Sequence, residues 1–150
     1  MTANVRNLLG QILGRTPPMI QVAALCLHPD TGCVLMITSR GTGRWIIPKG
    51  WPMAGRSLAE AALQEAWEEA GVRADSDAPE IGRYMYDKVQ NRGFATLVEV
   101  RVFKATVTEL TDDWPERAER RREWFAPDEA AKLVAEPQLA SLLRSLRTAG

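Results

Sequence analysis

The stretch from Ser57 to Val72 limits the fold of this chain more than any other. Ser57 with Glu60 three residues on makes a capping box, in which the serine hydroxyl and the glutamate carboxylate each satisfy a backbone amide at a helix start. Gly71 suits the left-handed residue just past a helix end. Between these stops, Ala59, Ala62, Leu63, Ala66, Trp67 and Ala70 share one side, and the small alanines allow close approach to a sheet. Glu65, Glu68 and Glu69 lie mostly off that side, with Glu69 at its border. With 3.6 residues per turn the three fall within an arc of roughly 100°. Like charges so spaced repel and cost the helix a few tenths of a kcal/mol per pair. A cluster of hard oxygen ligands with that cost is what a divalent cation such as Mg²⁺ neutralises.

The remaining 134 or so positions read as one domain over 1–150, a length that supports a sizeable core. Val5, Leu8, Leu9, Ile12 and Leu13 repeat at helical spacing, Gly14 can end that run, and Pro17-Pro18 sets it apart. Residues 1–18 are therefore expected to be a helical extension that docks on the core, with a homodimer contact as the alternative. Strands are expected over 20–28 and 33–38, joined by the turn Pro29-Asp30-Thr31-Gly32, and over 45–47, stopping at Pro48. Lys49 to Gly55 is a loop by its Gly and Pro content. Strands follow over 81–89 and 94–107, with a turn near Asn91-Arg92-Gly93. Val98, Val100 and Val102 share one face of the second, and Glu99 and Arg101 the other. A short strand at Glu123-Trp124-Phe125, a helix opening at Pro127-Asp128-Glu129 and an amphipathic helix over Gln138 to Arg147 complete the chain. Mixed strands and helices without regular alternation indicate α+β or a mixed-sheet sandwich.

Lys plus Arg and Asp plus Glu number 19 each, so no global field attracts nucleic acid or a membrane, and a polyanion must be held by a local patch. Arg117, Arg120, Arg121 and Arg122 form one such cluster. Cys26 and Cys33 sit in apolar runs and read as free thiols. No apolar stretch reaches transmembrane length and no signal-peptide core is present, so a reducing, cytoplasmic setting is expected.

Gly50 to Val72 resembles the Nudix box, the signature of hydrolases that cleave a diphosphate linked to another moiety. In the pattern G-x5-E-x7-R-E-U-x-E-E-x-G-U, where U is bulky and aliphatic, Gly50, Glu65, Glu68, Glu69, Gly71 and Val72 match. Three positions depart from it: Arg56 stands where the family has Glu, Gln64 where it has Arg, and Ala66 is small for the aliphatic site. The flanks Thr38-Ser39-Arg40, Arg44-Trp45-Ile46-Ile47-Pro48, Asp113-Trp114 and Arg120 to Phe125 resemble the diphosphoinositol polyphosphate phosphohydrolase branch, although Lys49 replaces a glycine common there. The resemblance covers most of residues 20–126. It implies an α/β fold, a Nudix-like α/β/α sandwich with a mixed sheet.

It also implies roles. Glu65 and Glu69 are expected to hold Mg²⁺ (or Mn²⁺), with a backbone carbonyl at Lys49 or Gly50, and Glu68 to act as general base. Glu116 and Glu119 near Trp114 are the alternative source of that base. Ser39, Arg40, Arg44 and Arg120 match positions that bind substrate phosphates, which suits the donor fork of arginine. Lys49, Arg56, Lys88 and Arg92 are candidates for the same rim. Trp45, Trp51 and Trp124 read as packing residues and His28 as a passive turn residue. The expected substrate is a small, highly phosphorylated molecule, a diphosphoinositol polyphosphate or a dinucleoside polyphosphate, with a nucleoside diphosphate sugar behind them. A catalytically silent Nudix-like sensor is the reading from another class, and the three retained glutamates count against it.

Overall fold

The computed structural model describes residues 17–89 and 93–146. The expected N-terminal helix, Arg92 and Arg147 lie outside the described residues. The chain forms, in order, β1 (Met19–Leu27), β2 (Val34–Thr38), β3 (Trp45–Ile46), β4 (Lys49–Gly50), α1 (Leu58–Ala70), β5 (Val72–Ala74), β6 (Glu80–Val89), β7 (Ala95–Leu110), a 3-10 turn (Arg117–Glu119), β8 (Arg122–Phe125), α2 (Pro127–Leu133) and α3 (Pro137–Ser145).

The eight strands make one mixed sheet with the path β3-β2-β1-β7-β5, to which β4, β6 and β8 attach beside β1, β7 and β2. The centre is the parallel pair β1–β7, in register from Met19↔Val98 to Leu27↔Thr106. The other pairings are antiparallel. Because successive strand residues face opposite sides, β1 feeds two cores. Val22, Ala24 and Cys26 pack with Phe103, Ala105, Val107 and the alanines of α1. Ala23 and Leu25 pack with Val98, Val100, Val102 and the apolar faces of α2 and α3. Each buried Val or Leu contributes about 1.5–3 kcal/mol of transfer free energy, gross of chain entropy. The layers are thus helix, sheet, helices, the α/β sandwich expected.

The expected boundaries hold to within a few residues, with four corrections. Lys49-Gly50, expected as loop, pairs with Ala23 and Val22. The three-residue strand β5 and the 3-10 turn carried no sequence signal strong enough to name. Strand β7 runs on to Leu110. Trp51, read as a core or packing residue, is 40% exposed and so is not core. Trp45 and Trp124 do pack, edge-on to Phe125 and His28. His28 closes its own turn: its Nδ1 accepts from the amides of Asp30 and Thr31. Cys26 and Cys33 are free thiols, and burial pushes Cys26 up to about 12. Among the described residues, no helix is long and apolar enough to cross a membrane.

Candidate functional site: a glutamate helix beside an arginine-lined groove

Both ends of α1 form as its sequence dictates. The Ser57 amide donates to Glu60 Oε1 at 2.7 Å, and the Glu60 amide donates to Ser57 Oγ at 3.0 Å. Gly71 takes φ 68°, the left-handed region where a side chain is strained. The alanine side of the helix packs on β1 and β7, which turns the glutamates toward the edge of the sheet where β4 runs.

Glu69 is 8% exposed, although it sits at the border of the apolar side. Its Oε1 accepts from the Lys49 amide at 3.1 Å, and its Oε2 pairs with Arg120 at 3.5 Å. Burial pushes its carboxyl up, opposed by the Arg120 charge and the Lys49 amide. Glu65 lies against Gly50, where any Cβ would overlap the Glu65 carboxyl group. That contact explains a glycine at this point without invoking its backbone freedom. Glu68 accepts from Gln64 Nε2 at 3.0 Å, and Gln64 Oε1 in turn accepts from Arg56 at 3.2 Å. Two of the three departures from the box pattern, Arg56 and Gln64, therefore touch each other and end on Glu68.

Glu65 carries the clearest electrostatic signature. Burial first, then the charges of Glu69 and Glu68, a hydrogen bond with Glu69 and the charge of Glu116, push its carboxyl up to about 8. In metal-free protein this has a definite sign. Both the folded and unfolded chains are protonated at Glu65 below about pH 4.5, the ordinary value. Between there and pH 8 the unfolded chain releases the proton first, so folding stability falls as pH rises. Because Glu65 is half-exposed, solvent screening reduces the effect to about 1–2 kcal/mol. Glu65→Gln removes this slope. Urea unfolding of metal-free protein at pH 5 and pH 8 is expected to show wild type losing stability across that interval and the variant losing clearly less. Equal slopes in the two proteins would refute the assignment.

A divalent cation fits this donor set. Glu65 and Glu69 project from successive turns, crowd each other, and sit beside the backbone of Lys49 and Gly50. Among the described residues, no group of three or more His, Cys, Asp or Glu side chains is gathered tightly enough to hold a metal ion. Glu68 points to Gln64 instead. A hard cation here would be held by the Glu65 and Glu69 carboxylates and would complete its shell with backbone oxygen, substrate or water, as Mg²⁺ commonly does.

Beyond Arg120 lies an open groove of about 510 Å³ lined by Thr38, Ser39, Arg40, Gly43 and residues 117–121. Ser39 and Thr42 close the turn at its rim through their hydroxyls, 2.9 Å apart. Arg44 Nε donates to Thr42 Oγ1 at 3.2 Å, outside the lining of the groove. Arg40 is exposed and reaches Glu119 at 3.5 Å and Glu116 at 3.9 Å. Arg120 is the buried member: its side chain is 6% exposed, Nε donates to Glu116 Oε1 at 2.8 Å and Nη1 to the Thr38 carbonyl at 3.1 Å. Lys49 extends away from the groove, with Nζ 4.9 Å from the centre of the Tyr86 ring. Burial lowers its pKa, against the raising charge of Glu69. Lys88 lies over the exposed Trp51 ring at 5.5 Å. The structure thus brings Glu65, Glu69, Lys49, Gly50 and Arg120 together, sets Ser39 and Arg40 on the adjoining groove, and leaves Arg44 at its margin. Sequence reasoning missed Glu116 as the second partner of Arg120 and Arg117 and Arg121 as groove lining. The run of arginines was the only signal for the last two.

Human diphosphoinositol polyphosphate phosphohydrolase 3-beta is 33% identical over 138 residues, covering 87% of this chain and 79% of that protein. Mouse diphosphoinositol polyphosphate phosphohydrolase 2 is 31% identical over 134 residues, covering 85% and 70%. The fold superposes on a NUDIX hydrolase from Nitrosomonas europaea with a TM-score of 0.67 at 23% identity, over 89% of this chain and 90% of that one. It superposes on the C. elegans Ap4A hydrolase with a TM-score of 0.63 at 18% identity, over 88% and 98%. The profile of the NUDIX domain matches residues 17–146, which takes in every strand and helix described above, and the chain therefore belongs to the Nudix family of hydrolases.

Proposed function

We propose that this Nudix hydrolase cleaves a phosphoanhydride bond in a small, highly phosphorylated molecule with Mg²⁺, or Mn²⁺ in its place. A diphosphoinositol polyphosphate is the first choice of substrate and a dinucleoside polyphosphate the second. One observation carries this reading: Arg120 joins a crowded carboxylate pair to a groove lined by further arginines. Phosphoanhydride hydrolysis needs charge neutralisation and an aligned water, with little covalent work for the protein. A divalent ion between Glu65 and Glu69 would neutralise phosphoryl charge and acidify a water. Glu68, which accepts from Gln64, would take the proton from the attacking water. Ser39, Arg40 and Arg44 supply donors along the groove and its margin for phosphates remote from the bond that breaks. The names of the curated relatives favour the inositol substrate, and the C. elegans neighbour keeps the dinucleoside polyphosphate next. Two free cysteines suit a cytoplasmic protein, and the balanced charge assigns no role to nucleic acid or membrane.

The test is release of phosphate or pyrophosphate, with and without Mg²⁺, across diphosphoinositol, dinucleoside polyphosphate and nucleoside-sugar substrates. Metal-dependent turnover is expected, fastest on the first group and strongly inhibited by salt, because many phosphates are held by exposed arginines. Turnover of none of them would leave a phosphate-ligand sensor as the surviving reading. A flat salt response would point to a base or sugar pocket.

A further inference from the structure

The end of α1 that carries Glu68 and Glu69 is held by a segment distant in sequence. A helix leaves its last carbonyls without partners inside the helix. Here each finds a donor. The Gly71 amide donates to the Trp67 carbonyl at 3.0 Å and the Glu116 amide to the Glu68 carbonyl at 3.1 Å. Trp114 Nε1 donates to the Glu69 carbonyl at 3.1 Å, and Arg122 Nη1 to the Ala70 carbonyl at 2.8 Å. Thr111 closes the series on the Gly71 carbonyl through its amide at 3.0 Å and its hydroxyl at 3.1 Å.

These donors form one packed unit. The Arg122 guanidinium stacks on the Trp114 ring at 3.9 Å. Gly71 lies beneath both: a Cβ there would meet Arg122 Nη1 at 2.8 Å and the Trp114 ring at 2.9 Å. The same segment also grips the Glu69 side chain through Arg120. Glu69 is thus fixed twice, by its carbonyl and by its carboxylate, from residues 111–122.

We propose that Trp114 and Arg122 are positioning residues of this site, a clamp that sets the height and rotation of Glu68 and Glu69 against the substrate. The inference rests on the reading of those glutamates as reactive groups. Small displacements of reacting groups are costly in rate, so a clamp that stops the last helical turn from fraying acts on turnover before it acts on binding. It touches no substrate itself.

The test separates the clamp from general stability. Trp114→Phe removes the Nε1 donor and keeps an aromatic ring under Arg122. Arg122→Lys is the second variant: it keeps the charge and loses the flat stack. In metal-free protein, amide hydrogen exchange over residues 68–72 is expected to accelerate about 10-fold in either variant, with protection of β1 and β7 unchanged. The Tm is expected to fall by no more than about 4 °C. On the best substrate of the panel, kcat is expected to fall about 10-fold with KM within about twofold of wild type. Unchanged protection of residues 68–72 in both variants would overturn the clamp. So would an equal loss of protection across the whole sheet, or an intact kcat. Should wild type turn over nothing, the hydrolase reading fails, while the exchange measurement still decides whether the clamp holds.

Discussion

Glu69→Gln is expected to lower kcat by about 10³-fold at neutral pH, the scale of losing one preorganised charge-stabilising group from an active site. The amide has the size of the carboxylate and can still accept from the Lys49 amide, so the local structure has little reason to rearrange. What it loses is charge. With Glu65, which lies within hydrogen-bonding reach of it, Glu69 would share the cation in the proposed reading, and a neutral group at one position removes half of that attraction. The Mg²⁺ concentration for half-maximal rate is therefore expected to rise by at least about 10-fold. Glu68→Gln is expected to behave differently. Its rate falls by about 10²-fold, the contribution of a positioned general base, while the Mg²⁺ requirement stays as in wild type. Mg²⁺ titrations of initial rate on the three proteins check both statements. Full activity in both variants would remove these glutamates from the mechanism. A shifted Mg²⁺ requirement for Glu68→Gln would move that residue into the metal set.

What was legible in the sequence is what is local. The capping box and Gly71 fixed both ends of α1 because their hydrogen bonds span three or four residues. The alternation of Val98, Val100 and Val102 marked β7 because only one face is buried there. Past Val102 the alternation changes face: Phe103, Ala105 and Val107 pack under α1 while Lys104 and Thr106 stay half-covered on the other side, and beyond Val107 the exposed Thr108 and Glu109 left the run to Leu110 unread. The helix clamp was illegible for a related reason. Trp114 and Arg122 reach carbonyls 45 and 52 residues away, and no periodicity records such a contact. Arg56 and Gln64 were visible as two separate departures from a pattern. Only the fold shows that they meet and that their chain of contacts ends on Glu68. Trp51 misled because a tryptophan between Gly50 and Pro52 has no local mark of exposure, and its ring lies under Lys88 at the surface.

Arg120→Met is expected to destabilise the protein by about 2–4 kcal/mol, a fall in Tm of roughly 4–16 °C for a chain of this size. The arginine was expected from its sequence context to bind substrate phosphate, and at the edge of the groove its guanidinium has three protein partners: Glu69, Glu116 and the Thr38 carbonyl. Methionine fills the space of the stem, so most of the cost comes from leaving Glu69 buried without its counter-charge. Glu116 is the lesser loss, because 21% of its side chain stays exposed to water. If that is the origin, removing the stranded charge must recover part of the loss. The double variant Arg120→Met with Glu69→Gln is expected to regain about 1–2 kcal/mol relative to the sum of the two single changes, the size of coupling measured between contacting charged groups. The same pairing predicts a pH effect in the single variant. Arg120 is the strongest influence holding the Glu69 carboxyl down against burial. Without it that carboxyl rises further, so metal-free Arg120→Met loses stability more steeply than wild type as pH climbs from 5 to 8. Urea titrations of the four proteins at both pH values measure all of these terms. A stable Arg120→Met whose KM alone rises at least about 10-fold would return the guanidinium to the substrate, and the Arg120–Glu69 pair would then be a resting contact that a phosphate displaces.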